Sequence, residues 1–263
     1  MRATEVVLAR VRERLPPNVR LLPTAQPDVS YDVRIAPDDI SSGRPHVIAF
    51  RSAADGEWLE LARVPDADTA ASTAADDAEF RIALHSPVRL FVHAAAVAWR
   101  GRMLVVPGRT WTGKSTLAAA LVRAGAAYYS DEFTVIDEAG LVHAFPRPLR
   151  LRADDASPER CVTASPIRGV ETAEPLPLGL VVSAPFRRGA RWSPRAMSAG
   201  EIALALMGNA VVARTRPAHA MMRIARAMEW GVGGLQGERG EADEIAQSLL
   251  DRVSESRVET STD

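Results

Sequence analysis

Residues 106–117, with the sequence VPGRTWTGKSTL, constrain the fold more than any other part of the chain. Gly108, Gly113, Lys114 and Ser115 match the phosphate-binding-loop pattern, which is a glycine, four free positions and then Gly-Lys-Ser. The apolar run RMLVVP precedes this loop, and the helix-forming run KSTLAAALVRAG follows its second glycine. This order of strand, loop and helix predicts an α/β fold with a nucleotide-binding core.

Each fixed position of the loop has a physical task. Gly108 permits a tight exit from the strand, and Gly113 lets the backbone approach a phosphate without a Cβ clash. The N–H groups of the loop and of the first helical turn can bind an anion. Lys114 can reach the β- and γ-phosphates, and the Ser115 hydroxyl can bind Mg²⁺. The predicted nucleotide-binding residues are Gly108, Arg109, Thr110, Trp111, Thr112, Gly113, Lys114, Ser115 and Thr116.

Two residues of the loop are unusual. Lysine occurs only once in the chain, as Lys114, among 32 lysine and arginine residues. A chain so rich in arginine keeps a lysine where a planar guanidinium does not fit, which supports a specific role for Lys114. Trp111 occupies a free position of the pattern and is therefore compatible with phosphate binding. It either projects over the nucleotide or the second substrate, or packs on neighbouring surface.

Composition bounds the class of protein. The chain has 263 residues, 47% of them hydrophobic, and a formal net charge of −1, which gives no sign of a nucleic-acid or membrane partner. The N-terminus lacks a continuous apolar signal segment, and no run approaches the ~20 apolar residues of a membrane helix. The single cysteine, Cys161, cannot form an internal disulfide and is expected to be structural. We therefore expect a cytoplasmic globular protein.

The order of apolar runs and turn residues predicts two regions and a tail. Residues 1–85 form a small α+β region, residues 86–253 the nucleotide-binding domain, and residues 254–263 a flexible tail. In the first region we expect a helix at 4–15, strands at 30–35, 46–50 and 57–64, and a helix at 66–84. In the second we expect strands at 88–99 and 102–107, joined by a hairpin turn at Arg100-Gly101, and strands at 126–130 and 175–185. We also expect a hairpin at 133–145 and helices at 114–125, which Gly125 would end, 198–213, 216–230 and 241–253.

Three residues outside the loop carry chemistry. Asp131 and Glu132 lie 17 and 18 residues beyond Lys114, after one helix and one short strand, so the chain returns to the sheet edge beside the phosphates. Two adjacent carboxylates could hold a metal ion and orient an acceptor hydroxyl. His93 precedes Gly108 by 15 residues on the strand that pairs with the one feeding the loop. Strand alternation alone does not decide which face His93 takes.

The block from His93 through the loop to Asp131-Glu132 resembles the core of the HPr kinase/phosphorylase superfamily, and more closely its HPr-kinase-related branch. The segments DEFTVIDEAGLVHAFPRPLRLR and PLPLGLVV resemble that branch as well, so the likeness covers about residues 88–250. The resemblance implies a phosphoenolpyruvate-carboxykinase-like P-loop core. It also implies transfer of the γ-phosphoryl group of ATP to a serine hydroxyl of a protein or peptide, with Mg²⁺.

Site roles follow from the same resemblance. Lys114 would bind the phosphates, Ser115 and Asp131 would hold the metal, Glu132 would act as the acceptor-side base, and His93 would assist near the γ-phosphate. Two departures are visible: Glu132 stands where the bifunctional enzymes have aspartate, and no EIRG-like segment follows the acidic pair. Neither phosphorylase activity nor HPr itself as the acceptor is therefore implied.

Two basic segments have open roles. Arg147, Arg150 and Arg152 either contact a phosphate or an acidic substrate or are solvated at the surface, and solvation is the default expectation. The segment FRRGAR, residues 186–191, is either a docking loop for a peptide or protein substrate or a solvated cluster. The sequence is also compatible with a homo-oligomer.

Two alternative functions also remain. The chain could be a small-molecule kinase with an ordinary P-loop fold, or a nucleotide-dependent ATPase or switch without kinase activity. The hairpin that carries His93 ahead of the loop favours the serine kinase, because an ordinary P-loop kinase begins its chain at the loop strand.

Overall fold

A computed structural model describes residues 1–16, 27–36, 43–52, 56–108, 112–147, 149–151, 160–162 and 174–255. The chain divides into two compact units, Met1–Ile82 and Ala83–Asp263. Of the tail expected at residues 254–263, only residues 254 and 255 are described, and residues 256–263 lie outside the described residues.

The N-terminal unit contains a three-stranded antiparallel sheet and two helices. Its elements are α1 (Glu5–Arg14), β1 (Val29–Ile35), β2 (His46–Ser52), β3 (Leu59–Val64) and α2 (Ala67–His85), and the sheet order is β1-β2-β3. Helix α2 buries four alanines, Ala70, Ala71, Ala74 and Ala75, against Val7 and Val11 of α1 and apolar residues of the sheet. Alanine carries no large side chain, so this core depends on close approach of the backbone elements.

The second unit is built around an eight-stranded sheet. Its strands are β4 (Leu90–Trp99), β5 (Arg102–Pro107), β6 (Ala127–Ser130), β7 (Phe133–Ile136), β8 (Leu141–His143), β11 (Leu176–Ser183), β12 (Arg195–Ala196) and β13 (Gly233–Gln236). Its helices are α3 (Lys114–Arg123), α4 (Ala199–Met207), α5 (Pro217–Met228) and α6 (Ala242–Glu255). Strands β9 (Leu149–Leu151) and β10 (Arg160–Val162) form a separate antiparallel pair.

The main sheet has the strand order β12-β13-β11-β5-β4-β7-β8, and β6 also pairs with β4. Strands β5, β11 and β13 are parallel, whereas β4 is antiparallel to β5. Successive residues of β4 and β5 face opposite sides of the sheet, as strand geometry requires. Met103 and Val105 pack in one core with residues of α4 and α5, and Leu104 and Val106 pack in another with residues of α3 and α6. Helices therefore cover both faces of the sheet, and the chain is a mixed α/β protein.

The β4–β5 hairpin and the following helix lie where the sequence places them. Arg100 and Gly101 form the hairpin turn and both have positive φ, at 48° and 80°. Helix α3 begins at Lys114, and Gly125, with φ of +106°, follows its C-cap residue. This glycine position is the one expected to end the helix.

One predicted helix is clearly shorter in the structure, and four strands of the described residues were not predicted. The helix expected at 198–213 ends at Met207, because the backbone after Gly208 pairs instead with strand β4: His93 N donates to Asn209 O at 2.7 Å, and Val211 N donates to Phe91 O at 2.9 Å. Strands β9, β10, β12 and β13 have only two to four residues each and carry weak local signals. No helix among the described residues is both long enough and apolar enough to span a membrane.

Candidate active site

The predicted phosphate-binding loop leaves the carboxyl end of strand β5 and leads into helix α3. The N–H of Gly108 donates to His93 O at 3.4 Å, so the loop begins beside strand β4. A Cβ atom at Gly108 would lie 2.8 Å from Oγ1 of Thr112, so the two ends of the loop approach each other closely. Gly113 is the N-cap residue of α3 with φ of +82°, in the left-handed region that favours glycine. The backbone geometry therefore favours glycine at position 113, and the close approach of the Thr112 side chain favours it at position 108.

A buried arginine braces the end of the loop. Nη2 of Arg239 donates to Gly113 O at 2.7 Å, and its Nη1 donates to Gly240 O at 2.9 Å. Arg239 is only 1% exposed, and burial lowers the pKa of its guanidinium. A Cβ at Gly113 would lie 2.5 Å from Nη2, so the arginine can reach this carbonyl only because position 113 is glycine. No local sequence pattern points to Arg239, because its partner Gly113 lies far away in the chain.

The other loop residues differ in what the structure describes. Arg109, Thr110 and Trp111 lie outside the described residues. The carbonyl of Thr112 accepts a hydrogen bond from Phe186 N at 3.3 Å, which ties the loop to the segment after strand β11. Thr116 is exposed on the first turn of α3.

Lys114 is buried at the first position of α3, with 8% of its surface exposed. Burial lowers the pKa of its ammonium group, while the negative charges of Glu132 and Asp131 act in the opposite direction. A lysine between two carboxylates keeps its charge at lower energetic cost than an isolated buried lysine would. Lys114 therefore lies in an acidic environment, where the two carboxylates favour its charged form.

Asp131 lies in the connection between strands β6 and β7, and only 8% of it is exposed. Its side chain is hydrogen-bonded to Ser115, but its Oδ1 atom is buried with no hydrogen-bond partner among the described residues. Burial raises the pKa of this carboxyl to about 6; the Ser115 hydrogen bond and the charges of Lys114 and Arg147 oppose that rise, and Glu132 adds to it. A buried carboxylate oxygen without a partner is uncommon and suits a site that receives a cation.

Glu132 and His93 form a hydrogen-bonded pair. Nε2 of His93 and Oε1 of Glu132 are 2.7 Å apart, and both side chains are partly exposed. Nη1 of Arg147 lies 3.9 Å from Oε2 of the same carboxylate. Burial by itself would raise the pKa of Glu132, but the hydrogen bond with His93 and the charges of His93, Arg147 and Lys114 bring that pKa below its usual value. Glu132 is therefore ionised, and part of its surface is open to solvent.

The burial of Arg147 differs from the sequence-based expectation. Solvation at the surface is the default expectation for this arginine, but only 7% of Arg147 is exposed. Its backbone carbonyl accepts a hydrogen bond from the buried Tyr128 hydroxyl at 2.8 Å, and its guanidinium faces Glu132. The side chain of Arg150 and all of Arg152 lie outside the described part of the chain.

Local packing explains why His93 and Glu132 meet. Strand β4 pairs with β7 through residues 90–93 and with β5 through residues 94–99, so His93 lies where the strand changes partner. His93 pairs directly with Phe133, and Ala94 N donates to Glu132 O at 3.2 Å. The Phe133 ring packs edge-on against two other phenylalanines, Phe91 and Phe145. This aromatic cluster holds the β6–β7 connection in place and thereby positions both acidic side chains.

The arrangement can also be compared with what a magnesium ion needs. Across the described ranges, no group of three or more histidine, cysteine, aspartate or glutamate side chains is placed to hold a metal ion. Protein-bound Mg²⁺ commonly uses one or two protein oxygens and takes the remainder from substrate phosphates and water. The Ser115 hydroxyl and the unpartnered Oδ1 of Asp131 fit that kind of site.

The structure brings five of the predicted residues together at the end of strand β5: His93, Lys114, Ser115, Asp131 and Glu132. This cluster combines a buried cation, a buried carboxylate beside a hydroxyl, and an ionised carboxylate facing solvent. Chemically it can bind an anion, hold a divalent cation through oxygen ligands and accept a proton.

No protein-family model matches this chain, and no curated protein matches it. Among solved structures, the chain is similar to the Hpr(Ser) kinase/phosphatase from Coxiella burnetii, with 12% sequence identity and a TM-score of 0.35. The similarity covers 65% of this chain and 99% of that chain.

Proposed function

We propose that the protein is an ATP-dependent kinase that transfers the γ-phosphoryl group to a serine hydroxyl of a protein or peptide. The observation that carries this proposal is the His93–Glu132 pair, which lies beside the buried Lys114 and Asp131 at the end of a phosphate-binding loop. A loop that only binds a nucleotide has no need for an ionised, partly exposed carboxylate at this place.

The loop supplies the binding part of the mechanism. Backbone N–H groups at the start of α3 and the Lys114 ammonium would hold the phosphates, since both present positive charge at the same point. Arg239 fixes the Gly113 carbonyl and with it the direction of the adjoining peptide groups. Ser115 and Asp131 would hold Mg²⁺, which when bound supplies charge neutralisation to the β- and γ-phosphates.

Glu132 would act on the hydroxyl group that receives the phosphoryl group. Its carboxylate would accept a hydrogen bond from the serine hydroxyl and orient that oxygen towards the γ-phosphorus. A bond then forms between the serine oxygen and phosphorus, the bond from phosphorus to the β–γ bridging oxygen breaks, and ADP leaves. The hydroxyl proton passes to Glu132. Phosphoryl transfer proceeds through a loose transition state in most analyses, so a carboxylate of low pKa is adequate for this role.

His93 and Arg147 position that carboxylate. The hydrogen bond from His93 fixes one oxygen of Glu132, and the charge of Arg147 lies beside the other. Both favour the ionised form, which is the form that can accept a proton. The pair thus keeps Glu132 ready and correctly oriented before the acceptor arrives.

The proposal is tested by incubating the purified chain with Mg²⁺, ATP labelled in the γ-phosphate and a panel of acceptors. The panel contains serine peptides, the matched alanine peptides and small hydroxyl compounds. Label on the serine peptides alone is expected. Label on a small compound would make the protein a small-molecule kinase, and release of free phosphate with no labelled acceptor would make it an ATPase or switch.

A further inference from the structure

The segment Phe186 to Arg191, which we name the basic turn, follows strand β11 and has a fixed conformation. Ala190 N donates to Arg187 O at 3.0 Å, which closes a four-residue turn. Gly189 is the third residue of this turn and has φ of +77°, a value that favours glycine at that place. The turn therefore presents Arg188, its second residue, at the tip.

A neighbouring loop holds the basic turn from behind. Arg187 N donates to Arg239 O at 2.8 Å, and Arg239 N donates to Pro185 O at 3.0 Å. A Cβ atom at Gly240 would lie 2.6 Å from Ala190 O, so the two loops are in close contact. A surface that is ordered before binding loses less conformational entropy when a partner arrives.

A cavity opens beside the turn, and its charge is positive. It is lined by residues that include Arg187, Arg188, Arg191, Ser193 and Glu238. Nη1 of Arg187 pairs with Oε2 of Glu238 at 2.7 Å, which neutralises one arginine. Arg188 and Arg191 are exposed and form no hydrogen bond or ion pair with the described residues. Two guanidinium groups are thus available to an anion from outside.

The basic turn is attached directly to the candidate active site. Phe186 N donates to Thr112 O in the phosphate-binding loop, and strand β11 is the parallel neighbour of strand β5. Asp131 and Glu132 lie on the other side of β5, beyond β4. The phosphate-binding loop is therefore flanked by acidic catalytic candidates on one side and by this cationic cavity on the other.

We infer that the basic turn docks an acidic segment of the acceptor protein, an inference that rests on the proposed kinase function. The phosphates of ATP would be held by the loop N–H groups and Lys114, so Arg188 and Arg191 are not needed for them. Guanidinium groups bind carboxylates in a paired geometry. An extended peptide advances about 3.3–3.6 Å per residue, so acidic side chains a few positions from the serine reach the neighbouring strand end. The substrate class is a serine flanked by aspartate or glutamate.

Binding to acidic and neutral peptides tests this directly. The probes are a fluorescein-labelled serine peptide with four glutamates and the same peptide with four glutamines, each titrated with the full chain without ATP. The variant is Arg188→Glu with Arg191→Glu. The control is Arg226→Glu with Arg252→Glu, which makes the same change of charge on exposed residues of α5 and α6. Arg226 adjoins Gly140, which follows the end of β7 opposite to the one that Glu132 precedes.

The glutamate peptide is expected to bind the wild type and the control variant with equal affinity. The glutamine peptide is expected to bind both proteins more weakly. Two exposed ion pairs, each worth about two- to fivefold, give a loss of about 4- to 25-fold for the basic-turn variant. In transfer assays the same variant raises KM for the glutamate peptide and leaves kcat unchanged. Equal binding of the two peptides, or no loss in the variant, would overturn the inference.

A second binding assay, with a nucleotide, tests whether the basic turn binds ATP instead of an acidic peptide. Binding of a fluorescent ATP analogue is expected to be the same in the wild type and the basic-turn variant. A variant that loses the analogue and keeps the glutamate peptide would assign the turn to the nucleotide and overturn the docking role. Peptide binding is measured without ATP, so a failure of phosphoryl transfer in the wild type would contradict the proposed function and leave the binding result intact.

Discussion

Nε2 of His93 lies 2.7 Å from Oε1 of Glu132, although the two residues are 39 positions apart in the chain. The contact joins a strand that precedes the phosphate-binding loop to the connection that follows its helix. The hydrogen bond with His93 favours the ionised carboxylate of Glu132, which is the form that the proposed transfer needs.

Removal of the histidine is predicted to change the pH dependence of transfer. In the His93→Ala variant, burial still raises the pKa of Glu132 but its hydrogen-bonding partner is gone, so the pKa rises towards or above its usual value. Transfer needs the ionised form, and the acid limb of kcat therefore moves to higher pH. The profile is measured at saturating Mg²⁺, which keeps Asp131 ionised. His93→Gln, which retains a donor without the charge, is expected to shift the limb less; no shift in either variant would remove His93 from this role.

Asp131 is predicted to lower the stability of the metal-free protein. Its folded-state pKa, about 6, is higher than that of an ordinary aspartate, so the folded state holds its proton more tightly than the unfolded state. Stability is then lost as pH rises from about 4 through 6, by up to about 3 kcal/mol. The Asp131→Asn variant should consequently have the higher Tm at pH 8 without Mg²⁺, and the difference should vanish near pH 4.

Magnesium is expected to reverse that order. The metal needs the ionised carboxylate, so Mg²⁺ should raise the Tm of the wild type in the presence of a non-hydrolysable ATP analogue, and its affinity should fall as pH drops below about 6. Asp131→Asn should show neither effect. Asp251→Asn, at an exposed position of α6, is the control and should behave like the wild type. If Mg²⁺ did not change the Tm of the wild type at pH 8, that result would contradict a metal site at Asp131.

Gly113 offers a test of the loop geometry with a matched control. Gly101 and Gly113 both have φ near +80°, but a Cβ at position 101 would meet nothing within 4 Å, whereas one at 113 would lie 2.5 Å from Nη2 of Arg239. Alanine at either position costs about 1–2 kcal/mol of backbone strain. Only Gly113→Ala should also displace Arg239 and weaken the binding of a fluorescent ATP analogue, by roughly tenfold, or about 1.4 kcal/mol. Equal nucleotide affinity in the two variants would show that the bracing arginine does not matter for binding.

Lys114 is predicted to be required for transfer. Lys114→Ala removes the cation at the phosphates and should lower kcat by on the order of 10²–10³-fold or more. Lys114→Arg should not restore activity, because the position is buried and the guanidinium is larger and planar. Single-turnover transfer from labelled ATP measures both, and substantial turnover by the alanine variant would contradict the site assignment.

The sequence allowed prediction of the elements whose signals are local. Strands β4 and β5, their hairpin turn at Arg100-Gly101 and the start of α3 at Lys114 follow from apolar runs, a turn glycine and the loop motif. Strand β13 was missed, because its sequence GGLQ resembles a loop. A Cβ at Gly234 would lie 2.6 Å from Ile202, so the glycine serves the packing of α4 on the sheet.

Residues that act through distant contacts could not be found in the same way. Arg239 donates to a carbonyl 126 positions away, and only the glycine at 113 makes the space for it. Arg147 was expected at the surface because arginine is usually solvated, and its burial depends on the fold around Glu132. In both cases the side chain has its role through residues that no local pattern brings together.

The central claim is that Glu132 orients and deprotonates the acceptor hydroxyl, while other residues bind the nucleotide. The most direct measurement compares Glu132→Gln with the wild type in two assays: affinity for a fluorescent ATP analogue with Mg²⁺, and single-turnover transfer of labelled γ-phosphate to a serine peptide. The account predicts unchanged nucleotide affinity within about twofold and a loss of transfer of roughly 10²–10⁴-fold. Transfer at the wild-type rate, or loss of nucleotide binding together with transfer, would contradict it.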